Sequence, residues 1–169
     1  MGNIQCFRYP KYRFIDKFFV NIFYIIYSLD DAVIDEGKSI YSTPFYLYPY
    51  GYKMRLQLFL NGDDYSRGTH MSLYVVLMRG DHDENLEWPF HFKVTFILLN
   101  RLQPNDSLVQ SFWCKAASNS FKKPGFDMNV PYGISKCFPL VMLKQNGFVQ
   151  NDTLLIRVEV DFLAEKPGN

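Results

Sequence analysis

Apolar and polar residues alternate most clearly in residues 52–60. One side of the two-residue period carries Tyr52, Met54, Leu56, Leu58 and Leu60, and the other carries Lys53, Arg55, Gln57 and Phe59. This period predicts a strand with one buried and one exposed face. Asn61-Gly62 follows, and this dipeptide favours a tight hairpin because both central residues of such a turn take positive φ. The exposed row is a surface on which a partner could bind.

Similar patterns recur along the chain and predict further strands. Residues 71–78 are apolar on both faces, which is typical of a central strand. The other predicted strands are 23–26, 92–99, 108–113, 138–144 and 153–161. Residues 29–33 suit a short helix, and residues 81–85 read as a solvated loop. Short alternating strands separated by turns predict an all-β fold, an antiparallel β-sandwich of about eight strands with one short helix near the N-terminus.

Composition narrows the classes of function. The 169 residues carry 18 Lys and Arg against 17 Asp and Glu, a net charge of +1. A near-neutral chain is unlike nucleic-acid-binding proteins, which need a basic surface. Three cysteines are too few for a disulfide framework or a zinc module. The apolar run 18–27 is shorter than the ~20 residues that a membrane-spanning helix needs, so we expect no membrane insertion.

The sequence carries only weak signals for a catalytic or metal-binding site. His70 and Ser72 are two residues apart and would lie on the same face of a strand. No sharp turn flanked by glycines presents Ser72 as a nucleophile, so a hydrolase is a minor alternative. Adjacent residues Asp81, His82 and Asp83 rarely supply convergent metal ligands. We therefore expect no catalytic residue, no metal and no cofactor.

Several motifs occur in order between residues 39 and 161 and identify a family. They are YSTPFY (41–46), GYKM (51–54), LNGD (60–63), RGTHMSL (67–73), MRG (78–80), WPF (88–90), SFKKP (120–124), DMN (127–129) and NDT (151–153). Together they resemble the TRAF-C (MATH) domain of the tumour necrosis factor receptor-associated factors. The resemblance places this domain at residues 29–163 and leaves a frayed tail at 164–169. Residues 1–28 are then an atypical N-terminal segment, with a degenerate first strand as one interpretation.

The resemblance also implies a peptide-binding site, because a receptor-tail peptide adds itself as a strand to a sheet edge in this family. The pocket for a small or apolar peptide residue would be lined by Tyr74, Phe96, Phe112, Phe121 and Ile134. Ser118, Asn119 and Ser120 match serines that hold a Gln or Glu side chain of the peptide. Val130 and Gly133 match the edge that pairs with the peptide backbone.

This chain departs from the family at the end of the site that binds an acidic peptide residue. Gln57 and Phe59 stand where the family has Arg and Tyr, and Asp63 matches. Asp64 replaces a Gly and Tyr132 replaces a Ser. Since a charge-assisted bond from Arg is about twice as strong as a neutral one, we expect a weakened acidic preference. We expect the peptide to carry an apolar residue, stacked on Phe59, in place of the acidic residue.

The resemblance implies a cytoplasmic signalling adaptor, trimeric in the full-length context, whose partners are receptor cytoplasmic tails or adaptor proteins. One alternative is a MATH-type module that recruits substrates to a ubiquitin ligase. Another is an extracellular MATH domain, which would require a cleaved N-terminal signal and glycosylation at Asn105 or Asn151.

Overall fold

The computed structural model describes the backbone of residues 4–7 and 18–26 and the full structure of residues 38–163. Its strands are β1 (Ile4–Phe7), β2 (Phe18–Ile26), β3 (Ile40–Tyr41), β4 (Phe45–Tyr46), β5 (Lys53–Phe59), β6 (His70–Met78), β7 (Lys93–Leu98), β8 (Leu108–Trp113), β9 (Tyr132–Pro139), β10 (Val149–Gln150) and β11 (Thr153–Asp161). The helical elements are one α-helix, α1 (Leu140–Leu143), and the 3₁₀ turns Asp83–Asn85, Pro104–Asp106 and Asn119–Phe121.

These strands form two antiparallel sheets packed face to face, which confirms the predicted all-β sandwich. The six-stranded sheet has the order β1-β2-β11-β7-β8, with β10 paired to β11. The five-stranded sheet has the order β3-β5-β6-β9, with β4 paired to β5. The predicted strand 23–26 is part of β2, which pairs with β11. Residues 29–33 and 164–169, predicted as a helix and a frayed tail, lie outside the described residues.

The alternation in β5 sets its orientation as predicted. Met54, Leu56 and Leu58 are fully or almost fully buried, whereas the residues between them are half-exposed. Across the sandwich, β7 and β11 contribute Phe96, Ile156 and other buried side chains to the same core. Burial of each such apolar side chain stabilises the fold by about 1.5–3 kcal/mol. The predicted central strand is also confirmed, because β6 lies between β5 and β9.

The predicted tight hairpin at Asn61-Gly62 is wrong. Gly62 has a φ of 83°, but Asn61 does not have the positive φ that such a turn needs. β5 and β6 are instead joined by residues 60–69, which fold back on themselves. A Cβ at Gly62 would lie 2.5 Å from the carbonyl oxygen of Ser66. Glycine therefore fits at this position of the folded loop, where a larger residue would clash with the backbone. The result is a structured loop that holds Asp63 beside β6.

Two further predictions need correction. The predicted strand 138–144 is wrong beyond its first two residues, because β9 covers Tyr132–Pro139 and α1 follows it at Leu140–Leu143. That apolar run has no clear period, and Leu and Met favour helix. Residues 81–85 are not a fully solvated loop either. Asp83 is 5% exposed and accepts a hydrogen bond from the Gly80 amide at 2.9 Å.

The outer strands on one side of the sandwich are β8 and β9, and they contact each other. β1 and β2 lie at the opposite end of the six-stranded sheet. We call the region formed by β8, β9 and residues 118–131 the β9 margin. In the described part of the chain, β9 has β6 on one side and no strand on the other.

Candidate functional site

Strand register divides the predicted site residues between two surfaces. Gln57 is opposite Tyr74 in the β5–β6 pair, and Tyr74 is opposite Gly133 in the β6–β9 pair. Residues directly opposite each other point to the same face, and Gln57 lies on the half-exposed side of β5. Tyr132 and Ile134 are opposite the buried residues Val75 and Leu73. They therefore point between the sheets, where both pack against the core.

The exposed face carries a row formed by Gln57, Phe59 and Tyr74. The amide Nε2 of Gln57 donates to Oγ of Ser39 at 2.8 Å. The rings of Phe59 and Tyr74 meet edge to face, with centroids 6.0 Å apart. Tyr74 was predicted to line the apolar pocket, but its ring lies on this outer face with Phe59.

Asp63 anchors the loop between β5 and β6. Its Oδ1 accepts from Oγ of Ser66 and from the Tyr65 amide, each at 3.0 Å, and its Oδ2 accepts from the Tyr74 hydroxyl. Burial alone would raise the pKa of Asp63, but hydrogen bonds lower it to about 2. The donors are three hydroxyls and one amide, those of Tyr74, Ser135, Ser66 and Tyr65. The carboxylate is thus held charged and already occupied by donors of its own chain.

Burial raises the pKa of Tyr74 to about 12, with a further contribution from its bond to Asp63. The same hydroxyl is 2.9 Å from Oγ of Ser135 on β9. Neighbouring Asp64 differs from Asp63, since its side chain is exposed and forms an ion pair with Arg67 at 2.9 Å. A carboxylate of this kind is available to a ligand.

Four aromatic side chains form a cluster at the β9 margin, which we call the margin cluster: Phe96, Phe112, Phe121 and Tyr132. Phe112 on β8 is 5.7 Å from Phe96 and 5.5 Å from Tyr132, measured between ring centroids. Tyr132 is 4.8 Å from Phe121. Phe96 and Phe121 are almost fully buried, whereas Phe112 and Tyr132 are half-buried. The predicted pocket residues other than Tyr74 thus come together here, with Ile134 beside them on β9.

Gly133 allows β9 to approach β6 closely. A Cβ on Gly133 would lie 2.6 Å from Cα of Tyr74 and still nearer to the carbonyl oxygen of Leu73. Glycine in a strand often marks such an approach of one backbone to another. Val130, just before β9, is 68% exposed. Of the two residues predicted to pair with the peptide backbone, Gly133 packs against β6 and Val130 is open to solvent.

Asn119–Phe121 form a 3₁₀ turn beside the margin cluster, and Ser118 is its N-cap. Oγ of Ser118 accepts from the Ser120 amide at 3.3 Å, and Ser120 is 8% exposed. Asn119 is exposed. Nδ2 of Asn129 donates to the carbonyl oxygens of Ser120 at 3.1 Å and Lys122 at 2.7 Å. Of the three predicted side chains, Asn119 is therefore the most accessible to a ligand.

Sequence reasoning missed three supporting residues, Ser39, Ser135 and Asn129. Each contacts a predicted site residue through a hydrogen bond that joins distant parts of the chain. The DMN motif (127–129) drew attention to Asn129 only as part of a family pattern. The bonding of Ser39 and Ser135 leaves no local signal in the sequence.

The His70 and Ser72 pair has a structural explanation. Ser72 is fully buried, and its Oγ accepts from the Asp63 amide at 2.9 Å and lies 2.7 Å from Oγ of Ser66. Nδ1 of His70 is 3.1 Å from Oγ1 of Thr69. Among the described residues there is no cluster of three or more His, Cys, Asp or Glu that could hold a metal ion. Nor does this part of the chain contain a helix with the length and apolarity needed to cross a bilayer.

Comparison with known proteins places the geometry in context. The family model for the TRAF/meprin MATH domain matches residues 37–157. The chain is 38% identical over 133 residues to TNF receptor-associated factor 5 of Mus musculus. It is 39% identical over 132 residues to TNF receptor-associated factor 2 of Homo sapiens. Both alignments cover 78% of this chain but only 24% and 26% of the relatives, so the chain spans about a quarter of their length.

A solved structure gives the same result. Notothenia coriiceps TRAF5 matches with a TM-score of 0.69 and 39% sequence identity. The match covers 77% of this chain and 65% of that one.

Proposed function

This chain belongs to the TRAF/meprin MATH domain family, and from that premise we propose that it is a non-enzymatic signalling adaptor domain. Its ligands are short linear peptides from receptor cytoplasmic tails or from adaptor proteins. The peptide binds by adding a strand to β9. Receptors of the tumour necrosis factor class are the first candidates, because the relatives are named for association with them.

The observation that carries this proposal is that, among the described residues, no strand pairs with the outer side of β9. An edge strand presents unpaired backbone groups to solvent and is a template for another strand. The chain's own N-terminal strands β1 and β2 lie at the far end of the other sheet, so they do not cover this edge. Main-chain hydrogen bonds along β9 would supply affinity, and neighbouring side chains would supply sequence preference.

The margin cluster gives the peptide an apolar contact surface. Phe112, Tyr132 and Ile134 are half-buried and pack against the core, so they are already held in place before a ligand arrives. A preformed surface reduces the entropy lost on binding. One side chain of the peptide packs here.

Asn119 recognises a Gln or Glu side chain of the peptide. Its amide offers two donors and one acceptor oxygen, and it is exposed at the start of the 3₁₀ turn. Asn129 fixes this turn through two hydrogen bonds to its backbone. The turn therefore presents Asn119 in a defined position.

The outer row lacks the Arg with which the family binds an acidic peptide residue. The Gln57 amide already donates to Ser39, and Asp63 and Asp64 place negative charge nearby. A peptide carboxylate would meet few free donors, so the residue at this position is apolar and contacts Phe59.

The domain acts in the cytoplasm, and trimerisation in the full-length protein raises the avidity of weak single sites.

A peptide array tests the proposal. It carries Pro/Ser-x-Gln-x-Asp/Glu sequences and versions with a neutral last residue, and binders are then measured by fluorescence anisotropy. We expect Gln-containing peptides to bind and Asn119→Ala to weaken them about fivefold, the loss of one neutral hydrogen bond.

Asn105→Ala is the matched control. Asn105 is also exposed and also lies in a three-residue 3₁₀ turn, Pro104–Asp106, and it is not among the residues proposed to contact the peptide. It should leave affinity unchanged. Equal losses in the two variants, or an array without any binder, would remove the proposed site.

A further inference from the structure

Arg55 lies on the same half-exposed side of β5 as the outer row and is opposite Val76 of β6. Its side chain crosses β6, because Nη2 of Arg55 donates to the sulfur of Met128 at 3.0 Å. Met128 pairs with Met78 on the far side of β6, in the segment that precedes β9. The guanidinium therefore lies next to the edge to which the proposed peptide strand is added.

Two contacts hold the Arg55 guanidinium in place. Its Cζ lies 3.8 Å from the centre of the Tyr41 ring on β3, a cation–π contact that orients the planar group. Met128 holds one end of it through the sulfur. Val76 is fully buried although it points to this face, as expected if the arginine side chain packs over it. A side chain that is already ordered loses little entropy when it binds a ligand.

Most of the hydrogen-bonding capacity of Arg55 is unused. A guanidinium has five N–H donors, and a thioether sulfur is a weak acceptor. Within residues 38–163, the Met128 sulfur is the one acceptor that this group contacts, and no carboxylate forms an ion pair with it. Nε of Arg55 is buried and has no hydrogen-bond partner in that range. Because unpaired buried donors are costly, the guanidinium is suited to bind an anion.

The charges along this face favour an anion at the Arg55 end. Lys53 lies on the same side of β5, whereas Asp63 and Asp64 adjoin the other end of the outer row and would repel a carboxylate there. Arg55 and Phe59 are four residues apart, which is about 13 Å along a strand. One peptide side chain can therefore contact Arg55 while a different one contacts Phe59.

We propose that Arg55 binds an acidic side chain of the peptide, Asp or Glu. Carboxylates match the planar fork of a guanidinium, which can donate two parallel hydrogen bonds to them. The position differs from the one that an Arg at residue 57 would contact, so the acidic residue is displaced along the peptide. This inference rests on the proposed function and specifies its ligand class: the acidic residue stands about four residues from the apolar residue at Phe59.

The test is a glutamate scan of one binding peptide from the array. The peptide is extended by about four Gly or Ser residues at each end, because a strand can pair with β9 in either direction. Each position is made once as Glu and once as Gln, and dissociation constants are measured by fluorescence anisotropy. For the unmodified protein we expect one position at which Glu binds about five- to tenfold more tightly than Gln.

Arg55→Met removes the charge and keeps a long side chain against Tyr41, and the preference for Glu at that position should disappear. Lys53→Met is the matched control, since it removes the same charge from the same face of β5, and it should leave the preference unchanged. If Arg55→Met does not fold, as judged by circular dichroism, NMR of the unmodified protein decides the question. The Nε–H signal of Arg55 should then shift with the Glu peptide and not with its Gln counterpart.

The outcomes separate this inference from the function on which it rests. If the peptides bind but Glu and Gln bind equally well at every scanned position, the assignment to Arg55 is wrong and the peptide-binding function stands. A preference for Glu that survives in Arg55→Met, or that Lys53→Met reduces to the same extent, also overturns the assignment. If none of the peptides binds the unmodified protein, both the function and the assignment are wrong.

Discussion

The hydroxyl of Tyr74 donates a hydrogen bond to Oδ2 of Asp63. This bond ties the middle of β6 to the loop that follows β5, and Ser135 of β9 joins it through the same hydroxyl. Three segments of the chain therefore meet at Tyr74, in the same exposed row as Gln57 and Phe59. The bond makes Asp63 a support of the outer surface, because its oxygens are already engaged by its own chain.

Replacing Asp63 with Asn should lower the free energy of unfolding at pH 7 by about 1–2 kcal/mol, because a charged acceptor loses its advantage over a neutral one. The folded pKa of about 2 lies below the ordinary value of 3.8. The stabilisation is therefore present above about pH 4 and is lost as the pH falls from about 4 to about 2. Urea unfolding at pH 7, 4 and 2.5 should show the difference between wild type and variant shrinking.

Asp64→Asn is the neighbouring control. Its exposed ion pair with Arg67 is worth less than about 1 kcal/mol, and we expect little change at any of these pH values. A difference between wild type and Asp63→Asn that stays constant down to pH 2.5 would contradict the role given to Asp63.

Gly133→Ala should destabilise the domain by about 2–4 kcal/mol, as expected for a steric clash in the core. Its new Cβ would press on the backbone of Leu73 and Tyr74, so β9 would have to move away from β6. Gly125→Ala is matched to it, since nothing lies within 4 Å of a Cβ there. Thermal unfolding followed by circular dichroism compares the two, and a near-wild-type midpoint for Gly133→Ala would argue against the close approach.

Cys114 and Cys137 should resist thiol reagents in the native protein. Both are almost completely buried, and burial raises the pKa of each thiol above its ordinary value of 9.0. Thiolate, the reactive form, is then scarce. In a Cys6→Ser background, Ellman's reagent should react with neither thiol at pH 8 without denaturant and with both in concentrated urea. Rapid reaction in the folded state would mean that the core opens more readily than its packing implies.

The double substitution Gln57→Arg with Phe59→Tyr should give the domain a preference for an acidic peptide residue. An arginine on the outer row adds a charge-assisted donor. We expect a peptide with Glu at the position that contacts the outer row to bind about five- to tenfold more tightly than the same peptide with Gln at that position. Unmodified protein should show a much smaller difference. Gln103→Arg adds the same charge at an exposed turn and should not change the ratio.

An unchanged Glu-to-Gln ratio in the double variant would show that the outer row does not contact that peptide residue. Fluorescence anisotropy at two salt concentrations gives a further readout, because the new preference should weaken as salt rises.

How far the sequence predicts this molecule depends on whether the relevant signal is local. The alternation in β5 predicts its buried face because a two-residue period depends only on neighbouring residues. The loop 60–69 is different, since its shape depends on Ser66, Ser72 and Tyr74 meeting Asp63. A short turn signal such as Asn61-Gly62 cannot anticipate bonds made by residues further along the chain.

The side to which Tyr132 points was likewise beyond the sequence. The β6–β9 register, which places Tyr132 opposite Val75, joins strands that are distant in sequence, and a shift of one residue would move every side chain to the other face. Family resemblance suggested the residues of the site but assigned Tyr132 to the acidic end. Pairing with Val75 places it in the margin cluster instead.

Strand addition to β9 is the central claim, and N-methylation of a bound peptide tests it most directly. Each methyl group removes one backbone donor, so a peptide paired as a strand should lose binding at alternate positions and tolerate methylation between them. We expect about tenfold weaker binding at the sensitive positions, together with NMR amide shifts concentrated at residues 130–136. Tolerance at every position, with shifts at β1 and β2 instead, would contradict the account.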